Sequence, residues 1–424
     1  MYIIAVNPML SHVSPTFPLA HELKNRNQEV IYIGEEKARF WIENEGCQFV
    51  SLTSCEDSKL KKLKISHKYQ EIESNYRRLH EEIFQILSKF SPNDFFIFPI
   101  SRFDSFYIPA ANAGLRIWAY TPSNGSIYAN FSIPPSTSML IPTPFNSLKT
   151  LSFWGRRYLR KYFSLRWYKL KNYYPYNQLK CLSEKHNYKR TFTIDGFCLQ
   201  LPVICLGPSE LEFKDGFPTL FAGLCITSEQ ETTVMDKERK LVYCSLGTMS
   251  SRYLKRDRYF KELIEIFRRH SEWDLIISLG DNNNSLTLED DVDNIKIYQF
   301  VEQKKILQKA DLAILHGGYG SVKECVYYET PMIVSPSSYD QSGNAARVLY
   351  KGIGKSNSLL KKRLIDRVFK RDVSGINGKI LERQICEILS DDVYIKRIKE
   401  IKKNILEQLE LQKLVDYLLS IKEI

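Results

Sequence analysis

Short apolar runs separated by amphipathic stretches recur along most of the chain. In the first half, residues 3–6, 29–33 and 95–100 have the length and composition of strands buried on both faces. Between them, Leu19, Ala20 and Leu23 fall at helical spacing in a segment that starts near Pro15, and residues 70–89 form a longer helical stretch. Runs at 203–206 and 220–224 read as strands that close this half. The second half repeats the alternation, with strand-like runs at 241–246, 274–279, 295–298, 312–315 and 332–334 and a helix over 259–269. Strands alternating with helices predict an α/β chain built on doubly wound parallel sheets.

Pro, Ser, Thr and Asn accumulate over 122–144, which reads as long irregular loops of the kind that carry binding groups on a rigid scaffold. The polar, charged stretch 227–240 is the expected linker. It divides the chain into a first domain (1–226), a second domain (241–390) and a charged helical tail (391–424).

Composition adds bounds to this picture. A length of 424 residues suits two domains of roughly 200 residues each, and a hydrophobic content of 43% can fill two cores. No apolar stretch approaches the ~20 residues that span a bilayer, and the start lacks the pattern of a signal peptide, so a soluble cytoplasmic protein is expected. The nine cysteines are scattered without a C-x-x-C pair, which fits free thiols in a reducing compartment and no structural zinc. The seven histidines are not clustered, and the acidic group Asp290, Asp291 and Asp293 reads as a surface loop before a strand. Metal-independent chemistry without a bound cofactor is the expectation.

The net charge of +11 is uneven, because no Asp or Glu occurs between Asp104 and Glu184. Within that stretch Arg156, Arg157, Arg160, Lys161, Arg166, Lys169 and Lys171 are interleaved with Trp154, Tyr158, Tyr162, Phe163, Trp167 and Tyr168. As a helix, residues 156–171 would present cations beside an aromatic side, either to an anionic membrane or as the lining of an acceptor cleft with its cations in water. No nucleic-acid-binding motif accompanies the patch, and nucleic acid is not an expected partner.

The chemistry concentrates in the run HGGYGSVKE at 316–324. It follows the strand-like run ending at Leu315, and its glycines allow a tight turn into a helix. The N–H groups and positive dipole end of such a helix favour a phosphate, to which His316 and Ser321 can add hydrogen bonds. Ser321 with Glu324 also has the spacing of a capping box, a purely structural reading. Asp340, Gln341 and Asn344 come one strand later, where the next connection returns to the same crevice.

These residues resemble the signature of the nucleotide-sugar-dependent glycosyltransferases of the UDP-glycosyltransferase type, which have the GT-B fold of two Rossmann-like domains facing across a cleft. The match runs from FVEQ (300–303), through Ile306, Leu307, Ala310 and Asp311, to Asn344 and GIG (352–354). The resemblance implies that Phe300 replaces a base-stacking Trp, with Val301 and Gln303 beside it. It also implies that His316, Ser321 and the loop amides of Gly318 and Gly320 hold the diphosphate, that Glu324 binds ribose, and that Asp340 and Gln341 grip the sugar. VYCSLGT (242–248) resembles the strand and loop that open the family's donor domain, with Gly247 and Thr248 near the phosphates.

At the other end of the chain, SHVSP (11–15) after the first strand is similar to the family's Gly-His-Val-Asn-Pro, which makes His12 the expected general base. Ser11 and Ser14 depart from that pattern. In many relatives an Asp at the end of the fourth strand orients this His; here the strand ends in Ser101, Arg102 and Phe103, with Asp104 as the candidate partner.

The resulting expectation is an inverting glycosyltransferase that moves a sugar, glucose or a close analogue, from a UDP-sugar co-substrate to a hydroxyl of a small apolar or lipid-like acceptor. A dTDP-sugar enzyme of natural-product biosynthesis and a non-catalytic protein that binds a nucleotide sugar are the alternatives. The transferase that glycosylates a lipid-linked muropeptide precursor is disfavoured, because residues 7–11 do not form its glycine-rich loop.

Overall fold

The computed structural model describes residues 1–54, 65–124, 133–135, 137–143, 146–170, 174–185, 190–192, 197–213, 219–226, 239–247, 256–280, 292–337, 340–357 and 378–421. Two parallel sheets organise them. The first contains β1 (Tyr2–Ala5), β2 (Val30–Glu35), β3 (Gln48–Leu52), β4 (Phe95–Pro99), β5 (Arg116–Thr121), β8 (Val203–Cys205) and β9 (Thr219–Phe221) in the order 3-2-1-4-5-8-9. Between β5 and β8 lies a separate antiparallel pair, β6 (Arg190–Phe192) and β7 (Phe197–Leu199). The second sheet contains β10 (Lys240–Ser245), β11 (Trp273–Ser278), β12 (Ile295–Tyr298), β13 (Leu312–Leu315), β14 (Met332–Val334) and β15 (Gly354–Ser356) in the order 12-11-10-13-14-15.

Helices cover the first sheet: α1 (Leu10–Val13), α2 (Phe17–Asn25), α3 (Arg39–Asn44), α4 (Ile65–Leu87) and α5 (Phe103–Asn112), followed in the chain by α6 (Ser147–Leu170), which packs against α7 (Tyr174–Lys185). The second is flanked by α8 (Arg256–Arg269), α9 (Gln303–Leu307), α10 (Tyr319–Tyr327), α11 (Gln341–Lys351) and the helix Gly378–Ser390. Central strands covered on both faces must be apolar throughout. β4 and β13 satisfy this with the fully buried sequences FFIFP and LAIL. Burying each such Ile, Leu or Phe is worth about 1.5–3 kcal/mol, so the sheets and not their loops set the frame.

Strand order reverses between β1 and β4 in the first sheet and between β10 and β13 in the second. In an open parallel sheet this reversal splays the two following loops apart and leaves a crevice at the carboxyl ends of the strands. The loop after β1 carries His12, and the loop after β13 carries His316.

The chain ends by joining the two halves. The helix Val393–Gln408 buries Ile398, Ile401 and Ile405 in the core of the second sheet. Leu409 then takes a left-handed conformation (φ 49°), and the helix Glu410–Ser420 buries Leu414, Val415 and Leu418 in the core of the first. Of the expected linker, residues 227–238 lie outside the described set.

Candidate active site

The phosphate-type loop is shaped by close contact between two glycines and one imidazole. Gly247, just after β10, has φ 84°, and a Cβ there would lie 2.8 Å from the His316 ring. A Cβ on Gly318 would come within 2.7 Å of His316 Nε2. The ring therefore lies against the bare backbone at both strand ends, and Gly317 turns the chain behind it with φ 88°. Burial pushes the His316 pKa down to about 4, partly opposed by the charge of Asp340 and by the backbone of Ser245. The imidazole is thus neutral at pH 7, and its Nδ1 is buried without a partner in hydrogen-bonding geometry among the described residues.

Helix α10 starts at Tyr319 with Gly318 as its N-cap and no side-chain cap. This overturns the capping-box reading: Ser321 lies inside the first turn, and its hydroxyl accepts instead from Gln303 Nε2 at 3.1 Å. The first-turn amides are left for an incoming acceptor group. Gln303 also donates to Glu324 Oε2, while its own oxygen accepts from Tyr243 at 3.3 Å. Gln303, Ser321 and Glu324 form one connected polar cluster. Phe300, just after β12, is 70% exposed and so free to meet a planar ligand, and Val301 is half-buried beside it. Gly320 is exposed, with open space where a Cβ would stand. Thr248 lies outside the described residues.

Asp340 is the N-cap residue of α11, and Gln341 is its first helical residue. The Asp340 carboxylate accepts from Ser123 Oγ at 2.7 Å and from Asn344 Nδ2 at 3.1 Å. Asn344 is buried; it also donates to the Gly317 carbonyl at 2.9 Å and accepts from Asn124 Nδ2 at 2.8 Å. Gln341 Oε1 accepts from the Ser337 amide at 2.9 Å. The loop after β5, which carries Ser123 and Asn124, is thereby held against the start of α11, and Asn344 connects that contact to the loop after β13.

At the end of β1, His12 lies in α1, half-buried, with Nδ1 at 3.2 Å from Asn7 Nδ2. The Asn7 oxygen accepts from Arg102 Nε at 3.0 Å, and Arg102 Nη2 is 3.0 Å from Glu35. Asp104 is not the residue on the His12 ring nitrogen. It sits exposed in the first turn of α5, and its backbone carbonyl accepts from His80 Nε2 at 2.7 Å. The physical reason is that α5 begins at Phe103, so the chain has already turned into helix when Asp104 is reached. Burial lowers the His12 pKa, and the charge of Asp340 across the cleft raises it.

Comparison with known proteins supplies an independent line. Residues 254–369 match the model of the glycosyltransferase family 28 C-terminal domain. The NDP-glycosyltransferase YjiC of Bacillus subtilis (strain 168) is 31% identical over 196 residues, 46% of this chain and 45% of that protein. The oleandomycin glycosyltransferase of Streptomyces antibioticus is 32% identical over 120 residues, 28% of this chain and 27% of that one. The chain therefore spans less than half the length of the curated relatives it matches. Solved structures cover it almost fully: the glycosyltransferase of kitacinnamycin superposes over 99% of this chain and 98% of its own, with TM-score 0.70 and 16% identity. The calicheamicin glycosyltransferase CalG4 does so over 99% and 97%, with TM-score 0.69 and 15% identity. The fold is that of the GT-B glycosyltransferases.

Within this GT-B chain, several residues that build the cleft carried no signal in the sequence. Ser123 and Asn124 belong to a loop expected only to be irregular, and their partners Asp340 and Asn344 lie more than two hundred positions away. Asn7 and Arg102 were visible only as departures from a family pattern. The aromatic wall expected on α6 is broken up: Trp154 is buried and donates to the Ile133 carbonyl at 3.0 Å, whereas Tyr158 and Tyr162 face solvent. Among the described residues no group of three or more His, Cys, Asp or Glu is arranged to hold a metal ion, and no helix is long and apolar enough to cross a membrane.

Proposed function

We propose that the chain transfers a hexosyl group, glucose or a close analogue, from a nucleoside-diphosphate sugar to an acceptor held over the first sheet, with inversion at the anomeric carbon. The observation that carries this reading is the tie between the His316 loop and Asp340 through Asn344, with the His12 and His316 loops each following a strand-order reversal and the charge of Asp340 acting on both rings. Phe300 stacks on the base, Gln303 and Glu324 meet the ribose, and Asp340 with Gln341 meets the sugar hydroxyls. As the bond to phosphate breaks, the departing diphosphate is met by the α10 amides and by His316, so that in this reading no metal ion is needed. His12 stands at the acceptor's nucleophile, where the family resemblance places a general base.

The donor is a UDP-sugar in this proposal. A dTDP-sugar is the alternative, since stacking on Phe300 does not separate uracil from thymine, and one solved neighbour, VinC, is described in complex with dTDP. The acceptor is small and apolar or lipid-like, delivered at a cytoplasmic membrane surface. What favours a surface contact is α6, where Leu148, Leu151, Leu159, Tyr162 and Phe163 are all exposed beside Arg156 and Arg160. Thermal-shift measurements with UDP, dTDP and their glucose conjugates, followed by an acceptor screen read by mass spectrometry, test the reading. If none of the nucleotides stabilises the protein, the donor site is misassigned. A protein that is stabilised by UDP-glucose, releases no glucose from it over hours and glycosylates nothing would instead be the non-catalytic binding protein.

A further inference from the structure

The support behind His12 has the opposite electrical sign from the carboxylate that the family resemblance leads one to expect. Arg102 stands at the end of β4, and its Nε can only donate a hydrogen bond. At 3.0 Å from Asn7 it fixes which end of that carboxamide is oxygen. The amide NH2 must then face His12 Nδ1, at 3.2 Å, with Ser101 Oγ at 3.5 Å on its other side. Glu35 holds Arg102 in place from behind at 3.0 Å, and Asn7 is itself buried, so the relay has little freedom to reverse. A ring nitrogen that receives an N–H must offer its lone pair. In a neutral imidazole the proton then resides on the other nitrogen.

We propose that Asn7, aimed by Arg102, fixes His12 with its ring proton on Nε2, so that His12 meets the acceptor as a hydrogen-bond donor and the chain selects acceptors whose nucleophile arrives as an anion, a phenolate or a carboxylate. This rests on the transferase reading above. The step balances without a base: a lone pair on the acceptor oxygen forms the new bond to the anomeric carbon, and the carbon–oxygen bond to the diphosphate breaks. That electron pair leaves with the nucleoside diphosphate, and no proton has to be removed. A neutral alcohol would have to lose a proton, and neither ring nitrogen can take it: Nδ1 is engaged by Asn7 and Nε2 already bears hydrogen. An imidazolium formed at His12 would also have Arg102 behind it in place of a carboxylate. The charged groups acting on the ring are Asp340 from across the cleft and, through Asn7, Arg102 with Glu35. Burial keeps the ring neutral near pH 7.5, where the tautomer is defined.

Asn7 and Arg102 are positioning residues, and their role is read directly from long-range proton–nitrogen correlations of 15N-histidine-labelled protein at pH 7.5. His12 is assigned by its absence from the His12→Gln variant. The expected wild-type pattern is the Nε2–H form; Asn7→Asp should convert it to Nδ1–H, and Arg102→Met, which lets the amide turn, should give a mixture. A wild-type ring protonated on Nδ1 overturns the proposal whether or not any acceptor is known. With UDP-glucose, wild type should glucosylate phenols faster as their acidity increases and leave an aliphatic alcohol of matched shape at least tenfold behind, a gap that Asn7→Asp should narrow. Equal wild-type rates on the two would refute the selection of anionic acceptors. If no acceptor is turned over while the Nε2–H form is seen, the transferase reading fails and the tautomer assignment stands.

Discussion

In the proposed donor site, His316 and Gln341 would meet different parts of the ligand. His316→Ala should weaken UDP and UDP-glucose together. Gln341→Ala should weaken only the sugar nucleotide, because UDP presents no sugar hydroxyl there; calorimetric titration of each variant with both ligands separates the two, and equal losses on UDP would refute the role of Gln341. The depressed pKa of His316, about 4, adds a pH signature. A diphosphate beside the ring favours the imidazolium and raises that pKa, so protons are taken up on binding at any pH between the free and bound values. The affinity for UDP-glucose, whose diester phosphates do not titrate in this range, should rise as pH falls from 7 to 5, by at most ~10-fold per unit. His316→Gln should flatten that rise, and a flat wild-type profile would place the diphosphate elsewhere. His12→Ala, in contrast, should lower transfer while leaving UDP affinity intact, because the ring acts on the acceptor and not on the nucleotide. The position of His316 was legible, because it follows an apolar run and opens a glycine turn, and the structure places it there against Gly247 and Gly318. Asn7 was not, since its meaning depends on an arginine ninety-five positions later.

At the level of elements, legibility followed burial. Strands covered on both faces, such as β4, β10 and β13, stood out as continuous apolar runs, and the structure places them within a residue or two of expectation. Strand β3, with the sequence QFVSL and mostly partial burial, has no such run, and β5 begins with Arg116; both were missed. Helix α6 was legible as a basic aromatic segment but not in its orientation. Successive helical positions turn by about 100°, which brings Leu148, Leu151, Leu159 and Tyr162 onto one outward stripe, with Lys149, Arg156 and Arg160 along one flank. Leu148 is 77% exposed and Leu159 54%, an arrangement suited to the boundary between lipid headgroups and acyl chains. Wild-type protein should therefore sediment with phosphatidylserine-containing vesicles at low salt and be released near 0.1 M, where the screening length is ~10 Å. Arg156→Gln with Arg160→Gln, and separately Leu148→Ser with Leu159→Ser, should each weaken sedimentation without changing UDP binding. Wild-type protein that stays in the supernatant at low salt would remove membrane contact from the proposed function.

Across the whole molecule, the cleft is closed by polar contacts from the end of one sheet to the helices of the other. Lys323, buried in α10 with its pKa lowered by that burial, donates to the Leu206 carbonyl at 2.6 Å. Arg347 of α11 and Glu212, in the segment after β8, form an ion pair at 2.6 Å with side chains only 3% and 4% exposed, and the guanidinium lies 4.3 Å over the Phe213 ring. None of this was readable from the sequence, in which Glu212 and Arg347 look like ordinary surface charges. Desolvating two charges costs about as much as their attraction returns, so the pair is a weak source of net stability and a strong constraint on how the halves dock. The sign of the prediction follows from what is left behind. Arg347→Met alone strands a buried carboxylate and should destabilise the protein by about 3–5 kcal/mol, and Glu212→Leu alone should cost a similar amount. The double variant leaves no orphan charge and should cost much less than the sum of the two singles. Denaturant melts of all four proteins complete the cycle. Additive losses would mean that the two side chains do not meet in solution, and that the halves pack by the helix Glu410–Ser420 and its apolar contacts instead.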